Sequence, residues 1–340
     1  MKRFRNSWPV VLLATLYLLT LAAGRLSPHD PGRQDRNYPD APPTVPRFVD
    51  AEGRFHWRPF IYGLEPVAGS YDEYQLDTSQ RFPLRLGVRT GVGPAGDDEG
   101  GWRLVGVEAP GRLFLLGTDR FGRDLFSRLL HGARISLLAG LLAGGLAVSI
   151  GLLLGALAGT FGGWVDSLVT RFVELVLCLP ALYLLMAVRA FLPLDIPPQQ
   201  AFLWISLLIA LLGWGRTARL VRGRALAVRR RGFVAAAVGF GATRWQILHR
   251  HVVPHTLPVA LTQGAVLVPQ FVLAEVGLSF FGLGMGEPMP SLGTLLVDMP
   301  LETLVDQWWK AAPAGFLLVI VLSYHGVASF LERRSGATAA

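Results

Sequence analysis

Charge is scarce in this sequence. Only 16% of its 340 residues are charged, while 51% are hydrophobic and the mean hydropathy is +0.42. A soluble domain carries about 25% charged residues, so the deficit excludes an ordinary water-soluble fold and indicates a membrane class. Cysteine is almost missing. Cys178 alone rules out an intrachain disulfide and a cysteine metal cluster, and its apolar neighbours predict a buried, inert thiol. Enzyme signatures are missing too: no Walker A, HExxH or nucleophile elbow occurs, so no catalytic residue is assigned. Metal ligands are sparse. His251 and His255 are spaced to share a helix face, but they lack a third ligand and flank Arg250. The acidic stretch Gly93 to Gly101 lacks the alternating oxygen ligands and closing carboxylate of a calcium loop, and reads as a solvated turn.

What the sequence does have is long apolar runs and clustered arginine. A basic start (Lys2, Arg3, Arg5) precedes an apolar run from Trp8 to Ala23. Leu and Tyr persist almost to its end, which favours an uncleaved first span over a cleaved signal peptide. Residues 25–116 then hold 13 of the chain's 24 acidic residues against 11 arginines. Short alternating pieces there, Arg81 to Val88 and Trp102 to Val107, predict strands broken by turns. This is an extracytoplasmic insert with β character. Ile135 to Gly159 follows, 25 residues without a charge. That run can cross a ~30 Å hydrocarbon layer, and its glycines allow close helix approach. Further runs cover about Phe172 to Phe191, Ala201 to Gly215, Thr256 to Phe281 and Ala311 to Leu331, predicting six spans in an all-α polytopic protein.

Arginine placement sets the orientation. The net charge is +8, and residues 216–251 contain nine arginines with no Asp or Glu. A basic balance suits nucleic acid or cytoplasmic loops. The position of this cluster between spans selects the loop, with both termini cytoplasmic and no nucleic-acid partner. Within it, Arg216 to Arg231 predicts a basic helix continuing from the membrane. Ala235, Ala236 and Ala237 predict a small-residue helix face after Phe233, which Gly241 ends. Thr243 predicts the cap of a second short helix beginning at Arg244, and Pro254 a bend back toward the bilayer. Two occupants fit this chemistry on physical grounds: anionic headgroups or a groove on a protein.

Glu174 and Glu275 are the intramembrane candidates for a pathway or structural role, because an ionisable group costs about 2.5–3.5 kcal/mol at a helix centre. Glu174 lies one turn after Arg171, where snorkelling or pairing accounts for it. Glu275 lies about 19 residues into its run, nearing the external interface. Two isolated glutamates make no proton relay, and a secondary transporter or membrane scaffold stands as the alternative class.

The ordered residues Ala235-Ala236-Ala237, Gly241 and Val253-Pro254 resemble the coupling motif of permease subunits in ABC-type importers. Gly117 to Asp124 with Ser127-Arg128 and Gly132 to Leu137 is similar to the start of the core in dipeptide and oligopeptide permeases of the C type, as are Ala274-Glu275, Leu278 to Gly284 and Pro290 to Gly293. The resemblance covers roughly residues 117–325. It implies a type I ABC importer permease, an inner-membrane subunit with no cofactor of its own. It also implies a second, related permease subunit, two cytoplasmic ATPase subunits carrying ATP-Mg, and an extracytoplasmic binding protein. Peptides are the implied substrate, with nickel or another small solute as the alternative. Arg231, Phe233, Ala235, Ala236, Ala237, Gly241, Arg244 and Pro254 are the implied ATPase-coupling residues. The implied domains are an anchor (1–24), the insert (25–116), a core (117–331) with coupling loop 216–255, and a tail (332–340). The family's glutamate is Ala235 here and its arginine is Val238, which removes about 0.3–1 kcal/mol of helix-dipole stabilisation and one polar contact.

Overall fold

A computed structural model describes residues 7–67, 73–89, 102–191, 197–284, 289–299, 302 and 304–337. The stretch Gly93 to Gly101 lies outside them. The chain forms two compact units that interleave along the sequence: residues 1–14, 137–285 and 319–340 make one, and residues 15–136 and 286–318 make the other.

The second unit contains the described strands. After α1 (Trp8–Leu21) and the short α2 (Ala23–Leu26), β1 (Arg47–Val49), β2 (Phe55–Pro66) and β3 (Tyr74–Pro83) pair antiparallel in that order. The β2–β3 ladder runs from Phe60 opposite Pro83 to Pro66 opposite Tyr74, with a bulge between Tyr62 and Gly63. β4 (Arg85–Arg89) and β5 (Trp102–Gly106) form a separate antiparallel pair. So Arg81 to Val88 is the end of one strand and most of another, broken at Leu84. At the β1–β2 turn, Asp50 accepts hydrogen bonds from the Arg54 amide (2.7 Å), His56 Nε2 (2.8 Å) and Arg81 Nη1 (2.6 Å). These contacts, His56 foremost, pull its carboxyl down to about 2.

The stretch 117–128 knots this unit together. Gly117 and Gly122 have φ of +68° and +71°, and a Cβ on Gly122 would lie 1.8 Å from the Asp35 carbonyl oxygen. Only glycine fits there. The reversal lets Asp119 accept from the Phe121 and Arg123 amides (2.9 and 3.0 Å) and from Arg123 Nε (2.6 Å). Arg128 Nε lies 3.6 Å from the same carboxylate, and Arg120 Nη2 lies 3.0 Å from Asp298. Asp119, Arg123, Asp124 and Arg128 are all buried. Burial pushes the Asp298 carboxyl up, with the nearby arginines opposing. Thr118 Oγ1 accepts from the Ala41 amide (2.7 Å) and donates to the Tyr38 carbonyl (2.6 Å), stitching the insert's start to the knot.

Helix α3 (Leu125–Phe161) begins ten residues before the charge-free run, because the knot caps it. In the first unit its glycines meet α6 (Pro198–Arg229) and α9 (Val253–Phe280). A Cβ on Gly151 or Gly159 would lie 2.5 Å from Thr217 or Ala225, and one on Gly140 2.4 Å from Val272. Glycine here permits the close approach that dispersion packing in lipid requires. The single run expected from Phe172 to Phe191 is instead two helices, α4 (Gly163–Cys178) and α5 (Ala181–Phe191), meeting at 82°. Pro180 lacks an N–H and restricts Leu179 to extended backbone. Cys178, expected buried, is exposed. Its apolar neighbours suit the bilayer or another subunit, not this chain's own core. Among the described residues four helices are long and apolar enough to cross a membrane, or five if the bent pair is one span; Trp8–Leu21 is a shorter apolar helix.

Candidate functional site

Helix α6 carries the basic segment straight out of its apolar run, as its composition predicts. Arg222 forms a two-point ion pair with Asp166 on α4, through Nε and through Nη2 at 2.6 Å. Arg231 then caps α7 (Gly232–Gly239) in extended backbone. Val234 is the residue of α7 that is buried, packed with Ala156, Val221, Ile247 and Val252. One anchor leaves the rest of the helix outward. Ala235 and Ala236 are exposed and Ala237 is half-buried.

Gly241, at φ +82°, ends the helix. The Ala242 amide donates to the Ala237 carbonyl and the Gly241 amide to Val238, both at 2.9 Å, which together make a Schellman closure that a left-handed residue enables. Thr243 and Gln246 then form a reciprocal capping box, with the Thr243 amide donating to Gln246 Oε1 at 2.7 Å. Both the terminator and the cap lie where the sequence places them.

The second helix is longer than expected. α8 (Arg244–Ile247) runs through a π-helical turn (Leu248–Val252) into α9, giving one 37-residue helical stretch from Arg244 to Phe280. Pro254 sits at the first turn of α9 and does not bend the chain back. The widened turn, in which the Val253 amide reaches the Leu248 carbonyl, makes room for the proline ring. Arg244 and Pro254 are both exposed. Phe233 stacks on His255 (centroids 5.2 Å) and tilts against His251 (5.7 Å), while Trp245 stacks on His249 and meets Phe161 edge-on. His255 Nδ1 donates to the His251 carbonyl at 2.6 Å, so this ring serves the helix.

Phe240 is a residue the sequence reading missed. It precedes Gly241 at the helix C-cap and is 93% exposed, beside Val238 at 55%. Exposed arginines at 230, 231, 244 and 250 belong to the same segment. The signal was available: a large ring directly before the terminating glycine is out of phase with the anchoring Val234.

The two intramembrane glutamates part company. Glu275 is fully buried in α9 and its Oε1 accepts from Ser279 Oγ at 2.7 Å. Glu174 is exposed on α4 and forms no ion pair with Arg171 or any other described residue. Arg216, read as the start of the cytoplasmic helix, donates from Nη1 to Gln270 Oε1 on α9 at 3.2 Å.

With this geometry in place, residues 151–336 match the binding-protein-dependent transport system inner membrane component family. The chain belongs to that family. It is 41% identical over 216 residues to the oligopeptide transport system permease protein OppC of Escherichia coli K12, covering 64% of this chain and 70% of that protein. The OppC of Salmonella typhimurium is 40% identical over 224 residues, with 66% and 72% covered. The probable D,D-dipeptide transport system permease protein DdpC of E. coli is 34% identical over 232 residues, with 67% and 76% covered.

Proposed function

We propose that this chain is the inner-membrane permease subunit of an ATP-driven peptide importer, and that residues 216–255 form its joint with a cytoplasmic ATPase. The observation carrying the joint is α7: a helix held by one buried residue, closed by a Schellman turn, and showing an apolar face among exposed arginines that have no carboxylate partner among the described residues. Peptides are the substrate class because the OppC and DdpC proteins bear those names over most of their length. Six spans are reached if Trp8–Leu21 crosses together with the four long helices and the bent pair. The basic cluster then lies in the cytoplasm with both termini, and the strands of 25–116 lie outside. In this reading a second, related permease completes the pathway, two ATPase subunits bind ATP-Mg, and a binding protein delivers the peptide. The chain itself holds no cofactor and catalyses no hydrolysis. The anchor, insert, core and tail follow the division given by the sequence.

The test is co-purification and transport. Gly241→Leu strains a backbone at φ +82° in a place with open space around it, so the fold survives while the turn distorts. The variant is expected to lose its ATPase subunits and ATP-dependent uptake in proteoliposomes. Intact assembly with unimpaired uptake would sink the joint.

A further inference from the structure

Arg216 and Arg219 are the first two arginines of α6 after its apolar run. Arg222 is neutralised by Asp166, whereas Arg216 and Arg219 are exposed, and no carboxylate pairs with either among the described residues. Three residues apart, they share a helix face. Their depth follows from the packing of α6 on α9. Gly213 abuts Phe271, where a Cβ would lie 2.1 Å from the ring, so the two positions are level. Gly213 is nine residues from Arg222, and Phe271 is nine from Phe280. At 1.5 Å per residue each separation is about 14 Å, so if the ion-paired Arg222 marks the cytoplasmic boundary and the end of α9 the external one, this level lies near the middle of a ~30 Å hydrocarbon layer. Helical side chains lean toward the helix N-terminus. Arg216 accordingly reaches from its own position toward that middle level, to Gln270, and not back toward the charged end of α6. It does not snorkel. A guanidinium held at this depth, exposed and without a counter-ion, is too costly in lipid and belongs in a water-filled space between subunits.

We propose that Arg216 and Gln270, with Arg219 one turn on, form a polar step in the translocation pathway that receives the C-terminal carboxylate of the transported peptide. The planar fork of Arg216 presents two parallel donors to a carboxylate, and Gln270 Oε1 keeps that fork oriented while the step is empty. Exchange of one acceptor for another lets the group bind weakly and release. The step rests on the permease reading above and takes Arg216 and Arg219 out of the ATPase joint, which then begins at Arg222.

The experiment uses the assembled transporter in proteoliposomes, with a peptide bearing a free C-terminus and its C-terminal amide as the two cargoes. Arg216→Ala is expected to slow uptake of the free-acid peptide at least about tenfold and to leave the amide within about twofold of its own wild-type rate. Arg216→Lys restores most of the loss, and the ATPase subunits co-purify with both variants. Equal loss for both cargoes, or no loss, overturns the proposal. A second measurement does not depend on cargo. In a Cys178→Ser background, Gln270→Cys is expected to react with a membrane-impermeant, water-soluble thiol reagent; failure to react when a lipid-soluble maleimide does react overturns it. Wild-type protein that imports neither peptide would count against the peptide reading, while the cysteine assay still reads whether the step is wet.

Discussion

Two stretches of this chain are built from the same parts, arginine and a left-handed glycine, to opposite ends. In 117–128 Arg123 and Arg128 are buried against Asp119 and their glycine has no room: a Cβ on Gly122 would overlap a backbone oxygen. In 230–250 the arginines are exposed without described carboxylate partners, and Gly241 has nothing within 4 Å of where a Cβ would be. The first stretch satisfies its charges internally and so holds a structure. The second leaves them for something outside the chain. Arginine content alone does not separate the two; the acidic residues between the arginines do.

The largest effect expected from this contrast comes from the buried side. Asp119→Ala removes the carboxylate that buried Arg123 and Arg128 share, a loss of about 3–5 kcal/mol even though Arg123 keeps Asp298 at 3.6 Å. Thermal unfolding of the detergent-solubilised protein reads it as a large drop in midpoint or as failure to accumulate. A drop no larger than that of a surface substitution would mean the knot does not hold the fold.

Gly122→Ala and Gly241→Ala compare the two turns directly. Both place a side chain in left-handed backbone, which costs about 1–2 kcal/mol. Only the first adds a backbone overlap, so only the first is expected to unfold the protein. Gly241→Ala should leave unfolding within about 2 kcal/mol of wild type while weakening ATPase association. Equal destabilisation by the two would erase the distinction.

Much of the exposed joint was legible from sequence because its determinants are local. Gly241 before Ala242-Thr243, and Gln246 three residues after Thr243, specify a terminator and a capping box by spacing alone. The four-residue α8 was not, because nothing local says that a π turn will carry the helix past Pro254. Phe240 read as one more apolar residue in a run. Arg216 read as the end of a span because hydropathy stops at the first charge, although its side chain turns back inward. The knot was visible as a motif, but its energetics depend on Asp35, Ala41 and Asp298, far away in sequence. The strand register from Phe60 opposite Pro83 is equally non-local.

The exposed arginines give a third, smaller test. Arg230→Glu with Arg231→Glu should shift stability by no more than about 0.5 kcal/mol, since neither side chain touches a described partner. ATPase association should weaken about tenfold, or about 1.4 kcal/mol, and the wild-type affinity should fall with added salt while the variant's does not. Phe240→Ala should weaken association independently of salt. If the double reversal destabilised the isolated chain, these arginines would belong with those of the knot.

The smallest effect is a pH step in the insert, where charge is again satisfied internally but near solvent. Asp50 ionises in the folded protein at about 2, below its ordinary 3.8, because His56, the Arg54 amide and Arg81 all favour the carboxylate. A depressed folded value means the contribution to stability is present above the ordinary value and fades as pH falls from about 4 toward 2. Trp57 lies two strand residues past Phe55 and is 91% exposed, and its ring meets Phe55 edge-on at 5.8 Å. Its fluorescence should therefore change over that interval as the β1–β2 turn loosens. Asp50→Asn should remove the step and leave the neutral-pH spectrum close to that of the loosened form. A step centred well above pH 4, or one that survives Asp50→Asn, would place the titrating group elsewhere in the insert. The turn would then owe its shape to backbone pairing and not to the carboxylate.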